Sequence, residues 1–175
     1  MKTKQEYHGF FRAVFPVIVL VLLAAVLPAH AGREEAIRIE PGTTAADSAL
    51  GYGWSQPELL GVNSTAARWM THLEGDVYFE VPESGTMNLE LTVSPFYLAW
   101  IRQSMGIYMN NQFIGERVFQ DSSEFERFSL DIPPAVVRKG RNRLTLRAGY
   151  RHRSFNAWDP RTLSLAVTQI ILTPQ

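Results

Sequence analysis

Met87-Asn88-Leu89-Glu90-Leu91-Thr92-Val93 is the stretch that decides the fold. Apolar side chains fall at 87, 89, 91 and 93, and polar ones at 88, 90 and 92. A period of two marks a strand with one face in a core and the other in water. Ser94-Pro95 breaks the alternation, so the strand is predicted to stop there. Working outward, the same alternation recurs in Ala36–Glu40, Asp76–Val81, Arg127–Ile132 and Leu144–Ala148, and Leu163–Leu172 reads as a last long strand. Pro41-Gly42, Pro82–Gly85 and Pro133-Pro134 punctuate these runs. Gly106–Asn110 and Gln112–Phe119 read as a hairpin about Asn110-Asn111, because asparagine tolerates the positive φ of a tight turn. Arg68–Leu73 reads as a further short strand, residues 42–67 as a long irregular connection, and Val136–Lys139 as one helical turn. No stretch of ten or more residues carries a 3.6-residue period. The expected fold is all-β: a jelly-roll β-sandwich of about eight antiparallel strands.

Composition narrows the function. The chain has 175 residues, 17 basic against 17 acidic, so its formal net charge is zero. That balance disfavours nucleic acid, whose phosphates call for excess positive charge. The absence of cysteine removes disulfides, thiolate catalysis and Cys-ligated metal centres. An apolar fraction of 46% is ample for a folded core.

Residues 1–31 read as a secretory signal peptide, leaving residues 32–175 as the domain. Lys2, Lys4 and Arg12 precede the apolar run Ala13–Leu27, and Ala29-His30-Ala31 offers small residues for cleavage. The run is shorter than the roughly 20 residues of a spanning helix, although an uncleaved anchor is the alternative. After cleavage no membrane span would remain. Export without disulfides fits the bacterial periplasm or the cell exterior.

Several motifs resemble a known family. Gly51-Tyr52-Gly53-Trp54-Ser55-Gln56-Pro57-Glu58 followed by Arg68-Trp69-Met70 resembles the opening of galactose-binding-like, carbohydrate-binding-module-like β-sandwich domains. Tyr108-Met109-Asn110-Asn111-Gln112 is similar to a hairpin of these domains, with Asn111 where glycine is usual. Ile132-Pro133-Pro134, Gly140–Leu146 and Asp159–Val167 continue the resemblance in the same order. Such domains occur in bacterial proteins tied to cell-surface polysaccharide. The resemblance implies this fold and, as a common use of it, carbohydrate binding.

The candidate ligand residues are aromatic and lie in loops. Pro95–Trp100 holds Phe96, Tyr97 and Trp100, and Phe155–Asp159 holds Phe155 and Trp158. If both loops reach one end of the sandwich, Tyr97, Trp100 and Trp158 form a stacking platform, with Asn156 and Asp159 as hydroxyl partners. Alternatively, the indoles plug the ends of the sandwich. Trp54 belongs to the same candidate set. Glu58, Arg68, Trp69 and Arg161 read as a structural clamp or as ligand contacts. In the clamp reading Glu58 pairs with Arg68 and pins the 42–67 connection, and Arg161 pairs with Asp159 or Glu58.

Arg138, Lys139, Arg141, Arg143, Arg147, Arg151 and Arg153 form a basic run. On the strand within it, Arg143 and Arg147 share a face with Thr145, while Leu144, Leu146 and Ala148 point inward. The run meets either an anionic partner or neighbouring acids such as Glu124, Glu126 and Asp131. No HExxH or GxSxG pattern is present, and no catalytic residue, cofactor or metal is expected. The leading expectation is an exported, non-catalytic β-sandwich that recognises bacterial surface polysaccharide or exopolysaccharide. The rivals are an envelope protein-assembly subunit with no sugar ligand and a glycan-active enzyme using Glu58 and Asp159.

Overall fold

The structure is a computed structural model and describes residues 35–120 and 122–175. The leader expected over residues 1–31 lies outside the described residues. Among the described residues twelve strands are present: β1 (Ile37–Ile39), β2 (Glu58–Leu60), β3 (Thr65–Trp69), β4 (Glu74–Val81), β5 (Met87–Pro95), β6 (Ser104–Met109), β7 (Gln112–Val118), β8 (Glu126–Ile132), β9 (Gly140–Ala148), β10 (His152–Arg153), β11 (Thr162–Leu163) and β12 (Leu165–Pro174). They are all antiparallel and form two main sheets. One runs β2-β3-β12-β5-β8, with β1 also on β12; the other runs β4-β9-β6-β7. β10 and β11 make a small separate ribbon. Among the described residues no helix is long and apolar enough to cross a membrane.

The core lies between the two main sheets. Leu89, Leu91 and Val93 of β5 and Val167, Ile170 and Leu172 of β12 share one buried cluster with Val77, Phe79 and Val81 of β4 and Leu144 and Leu146 of β9. The alternation read over residues 87–93 is thus the inward face of β5. That strand runs two residues further than expected, because Ser94 and Pro95 still pair with Ala166 and Leu165. Pro95 is tolerated at the last position of the strand. In β12 the apolar positions are out of phase: 165 and 167 precede 170 and 172. A bulge between Val167 and Gln169 absorbs the extra residue and returns both halves to the core.

The β6–β7 turn is as expected, with Asn110 and Asn111 at φ 50° and 71°. Residues 42–67 are more ordered than their composition implies. They hold a 3-10 turn at Thr44–Ser48, strand β2 and the start of β3. Such short elements carry too few residues for a period to register. The expected helical turn falls slightly earlier, at Pro134–Val136.

Candidate functional site

The outer face of the six-stranded sheet carries a groove of about 990 Å³. Register explains why it is there. Ser94, Ala166 and Trp69 stand abreast on β5, β12 and β3. Ser94 alternates with the inward-facing Val93, so this row faces away from the core. Thr92 and the bulge residue Thr168 extend the same floor. Small side chains on the neighbouring strands β5 and β12 leave a hollow, Trp69 of β3 stands beside it, and longer groups wall it in. The walls are the turn at Gly61–Asn63, Tyr97, residues 123–125 and Phe155. Among the described residues, Glu124 alone carries a charge in the lining.

A second, smaller apolar cluster supports the aromatic side of the groove. Phe96, Leu98 and Leu163 are buried there, with Trp69 and Tyr150 packed against them. The Trp69 indole meets Phe96 edge-on at 5.9 Å, and Phe96 lies 5.5 Å from Phe155. The Tyr150 hydroxyl donates to the Phe96 carbonyl at 2.7 Å. Burial disfavours the phenolate and raises the pKa of Tyr150, so the group keeps its proton for this bond. Gln103, only 2% exposed, closes the anchor. Its Nε2 donates to the carbonyls of Tyr150 (2.8 Å) and Ser164 (3.3 Å), and its Oε1 accepts from the backbone N–H of Tyr150 (3.0 Å) and Ser104 (3.1 Å).

The expected Glu58–Arg68 pair does not form. Glu58 stands opposite Ala67 in the β2–β3 ladder, so its side chain shares the face of Ala67 and the next residue, Arg68, faces the other way. Arg68 reaches inward and donates to the carbonyls of Pro41 (2.6 Å), Thr43 (3.2 Å) and Ser55 (3.3 Å) and to the Asp47 carboxylate. It does pin the 42–67 segment, through backbone carbonyls and a different acid. Glu58 pairs with Arg161 instead, at 2.6 and 3.1 Å, and Arg161 also holds Asp159 at 2.8 and 2.7 Å. Arg161 thus ties strand β2 to the loop that carries Phe155, fixing two walls of the groove to each other.

Hydrogen bonds from Arg161 depress the Asp159 carboxyl from 3.8 to about 2. The sign of the linkage follows. A depressed carboxyl pKa contributes stability above pH 3.8, and that contribution is lost as pH falls towards 2. Melting curves between pH 5 and pH 2 are expected to show a fall that is shallower in Asp159→Asn. An identical slope in the variant would mean that this pair is not responsible.

The remaining sequence candidates divide. Tyr97 lines the groove, and Trp69, read as a clamp residue, lines it too. Trp54 does not: it is half-buried against the main core, with Nε1 donating to the Asp76 carbonyl at 2.8 Å. Trp100 (72% exposed) and Trp158 (93% exposed) are in water but outside the groove lining. Asn156 Oδ1 accepts from the Trp158 N–H at 3.0 Å and shapes its own loop. The two aromatic loops do meet, through Phe96 and Phe155, while the Trp100 ring lies 6.4 Å from His152 of β10. Sequence reading missed Thr92, Ser94 and Thr168. The available signal was small polar residues on the outward face of central strands.

On β9 the basic residues face outward as expected, and acids other than those named balance two of them. Arg147 pairs with Glu74 at 2.8 Å and Arg143 with Asp76 at 3.6 Å, both on the neighbouring β4. Glu126 is taken by Arg117, and Asp131 accepts from Asn88 and Gln175.

No curated protein sequence matches the chain. Solved structures do match in fold. A family 35 carbohydrate-binding module from Clostridium thermocellum aligns at TM-score 0.52 and 12% identity, covering 81% of this chain and 99% of that one. A GH26-CBM35 β-(1,4)-mannanase of Podospora anserina aligns at 0.51 and 15%, covering 82% of this chain and 28% of the mannanase. A family GH115 4-O-methyl-α-glucuronidase aligns at 0.54 and 14%, covering 87% of this chain and 19% of the enzyme. The chain thus spans less than a third of either enzyme. At these identities the likeness is one of fold, and it agrees with the galactose-binding-like sandwich that the sequence motifs resemble. A family model described as cellulose synthase BcsB, first CBM domain, matches residues 48–168, and the chain belongs to that carbohydrate-binding-module family.

Proposed function

We propose that this domain binds an uncharged polysaccharide chain along the groove of the six-stranded sheet and does not cleave it. The observation that carries this reading is the lining: aromatic rings of Trp69, Tyr97 and Phe155 over a floor of threonine and serine hydroxyls, with one charge at the margin. Rings stack on the C–H faces of pyranoses, and hydroxyls satisfy the sugar's polar edge. The glycosidase alternative needs a carboxylic acid that is protonated near neutral pH. Asp159, held at about 2, is the opposite, and Glu58 sits on the same guanidinium.

The family description makes a β-glucan the first ligand to try. Affinity electrophoresis and calorimetry with cello-oligosaccharides and soluble β-glucan are expected to show binding. Tyr97→Ala and Phe155→Ala, both at exposed positions, should each weaken it by about tenfold, the loss of one aromatic anchor. Trp69→Ala should do so more strongly. Unchanged affinity in Tyr97→Ala and Phe155→Ala, with wild-type melting, would refute the groove as the site.

The leader-like residues 1–31 support action in the periplasm or outside the cell. Protein recovered from intact cells should then begin at residue 32. Trp100 and Trp158, exposed outside the groove, favour a second reading in which an envelope protein docks on this rim. A stoichiometric partner retained in the presence of excess glucan and lost in Trp100→Ala/Trp158→Ala would support it.

A further inference from the structure

On the opposite side of the sandwich, the outer face of the four-stranded sheet ends in a hollow of about 420 Å³. Arg138, Arg141 and Arg143 line it together with Tyr78, Asn110 and Asn111, and no carboxylate does. Three guanidinium groups around one cavity repel one another unless something anionic lies between them. Their neighbours only partly answer that need. Arg143 reaches Asp76 at 3.6 Å and the Asn111 side-chain oxygen. Asp76 is itself shared with the Thr145 hydroxyl, which donates to it at 2.6 Å. Arg141 stands opposite Glu80 in the strand register, yet it lies over the Tyr78 ring at 4.4 Å. Among the described residues neither Arg138 nor Arg141 has an ion pair.

The frame around the hollow is rigid. Asn142 is 1% exposed and fully bonded. Its Oδ1 accepts from the Arg138 N–H (2.9 Å) and from Asn110 Nδ2 (2.8 Å), and its Nδ2 donates to the carbonyls of Arg138 (2.6 Å) and Gly140 (2.9 Å). Asn110 Nδ2 also donates to the Val136 carbonyl at 2.8 Å, and Asn110 Oδ1 accepts from the Arg143 N–H at 3.0 Å. The buried Asn142 amide and the half-buried Asn110 amide therefore knit the loop bearing Arg138 to the β6–β7 turn and to β9, so the backbone that carries all three guanidinium groups is fixed before any ligand arrives.

We propose that this hollow is a second binding site, for an oxyanion, a carboxylate or phosphate, carried as a substituent on a glycan chain. Guanidinium forks match both groups bidentately, and an uncharged sugar gives no use for three of them. The site lies on the face opposite the aromatic groove and does not depend on it.

The test is affinity electrophoresis at low and physiological salt. The probes are a polyuronate, a phosphate-substituted glycan, inorganic phosphate alone and a neutral β-glucan. Either acidic polymer is expected to retard the protein, and salt should weaken the effect. Arg138→Ala/Arg141→Ala should weaken it at least tenfold, with unchanged melting and unchanged retention by neutral glucan. Arg138→Lys/Arg141→Lys should recover only part of it, because the charge returns without the fork. Tyr97→Ala should leave it intact. Retardation by one acidic polymer alone identifies the anion, and a response to inorganic phosphate shows that the anion suffices without a sugar. Absence of retardation by both acidic polymers, or wild-type retardation of Arg138→Ala/Arg141→Ala, overturns the proposal. Failure of the groove reading would appear separately, as neutral-glucan retention unaffected by Tyr97→Ala.

Discussion

Replacing Arg68 with methionine is expected to lower the stability of the domain by about 3–5 kcal/mol and its melting temperature by about 10 °C. The side chain is buried, and its guanidinium serves three backbone carbonyls, those of Pro41, Thr43 and Ser55. Methionine fills a similar space without donors, so each carbonyl loses that partner, at about 1–3 kcal/mol for a buried group. Asp47→Asn gives the contrast. That carboxylate is 56% exposed, so its loss should cost no more than about 1 kcal/mol. Urea denaturation of the two variants separates carbonyl satisfaction from ion pairing. If Arg68→Met melts within about 2 °C of wild type, the 42–67 segment is held by something else.

Gln103→Leu is expected to cost about 2–4 kcal/mol and also to weaken polysaccharide binding by about tenfold. The substitution keeps the volume but strips partners from the N–H and C=O of Tyr150. Tyr150 in turn holds Phe96 through its hydroxyl, and Phe96 supports Trp69 and Phe155. The effect therefore travels from a buried amide to the groove through a chain of three contacts. Faster amide exchange at Tyr150 and Phe96 with weaker glucan binding is the expected signature. Reduced melting with unaltered glucan affinity would show that the groove does not depend on this anchor.

The strands were legible in the sequence wherever a run was long enough to alternate, as in 87–93 and 127–132. The Asn110-Asn111 turn was legible because its backbone chemistry is local. Ion-pair partners were legible only in part: Arg161 pairs with Asp159 and Glu58, both of which the sequence offered, but the Glu58–Arg68 pair does not form. Glu58 and Arg68 are near neighbours along the chain, but the β2–β3 register sends them to opposite faces, and Arg161 reaches Glu58 from 103 residues away. The site was half legible for a related reason. Aromatic loops are conspicuous in a sequence, and Tyr97 was found that way. A groove is defined as much by what is small, and Thr92, Ser94 and Thr168 become its floor only once β5 and β12 lie side by side.

The irregularity at Thr168 has a corollary for the length of the strand. Val167 and Ile170 are three positions apart and both point inward, so the strand has the odd spacing built into its middle. Deleting Thr168 would restore a plain two-residue alternation from Val167 to Ile170, so Ile170 and Leu172 would still face the core and only the bulge would be lost. It would also erase a hydroxyl from the opposite surface. The extra residue is therefore dispensable for filling the core, and what it adds to the strand is a hydroxyl at the edge of the groove.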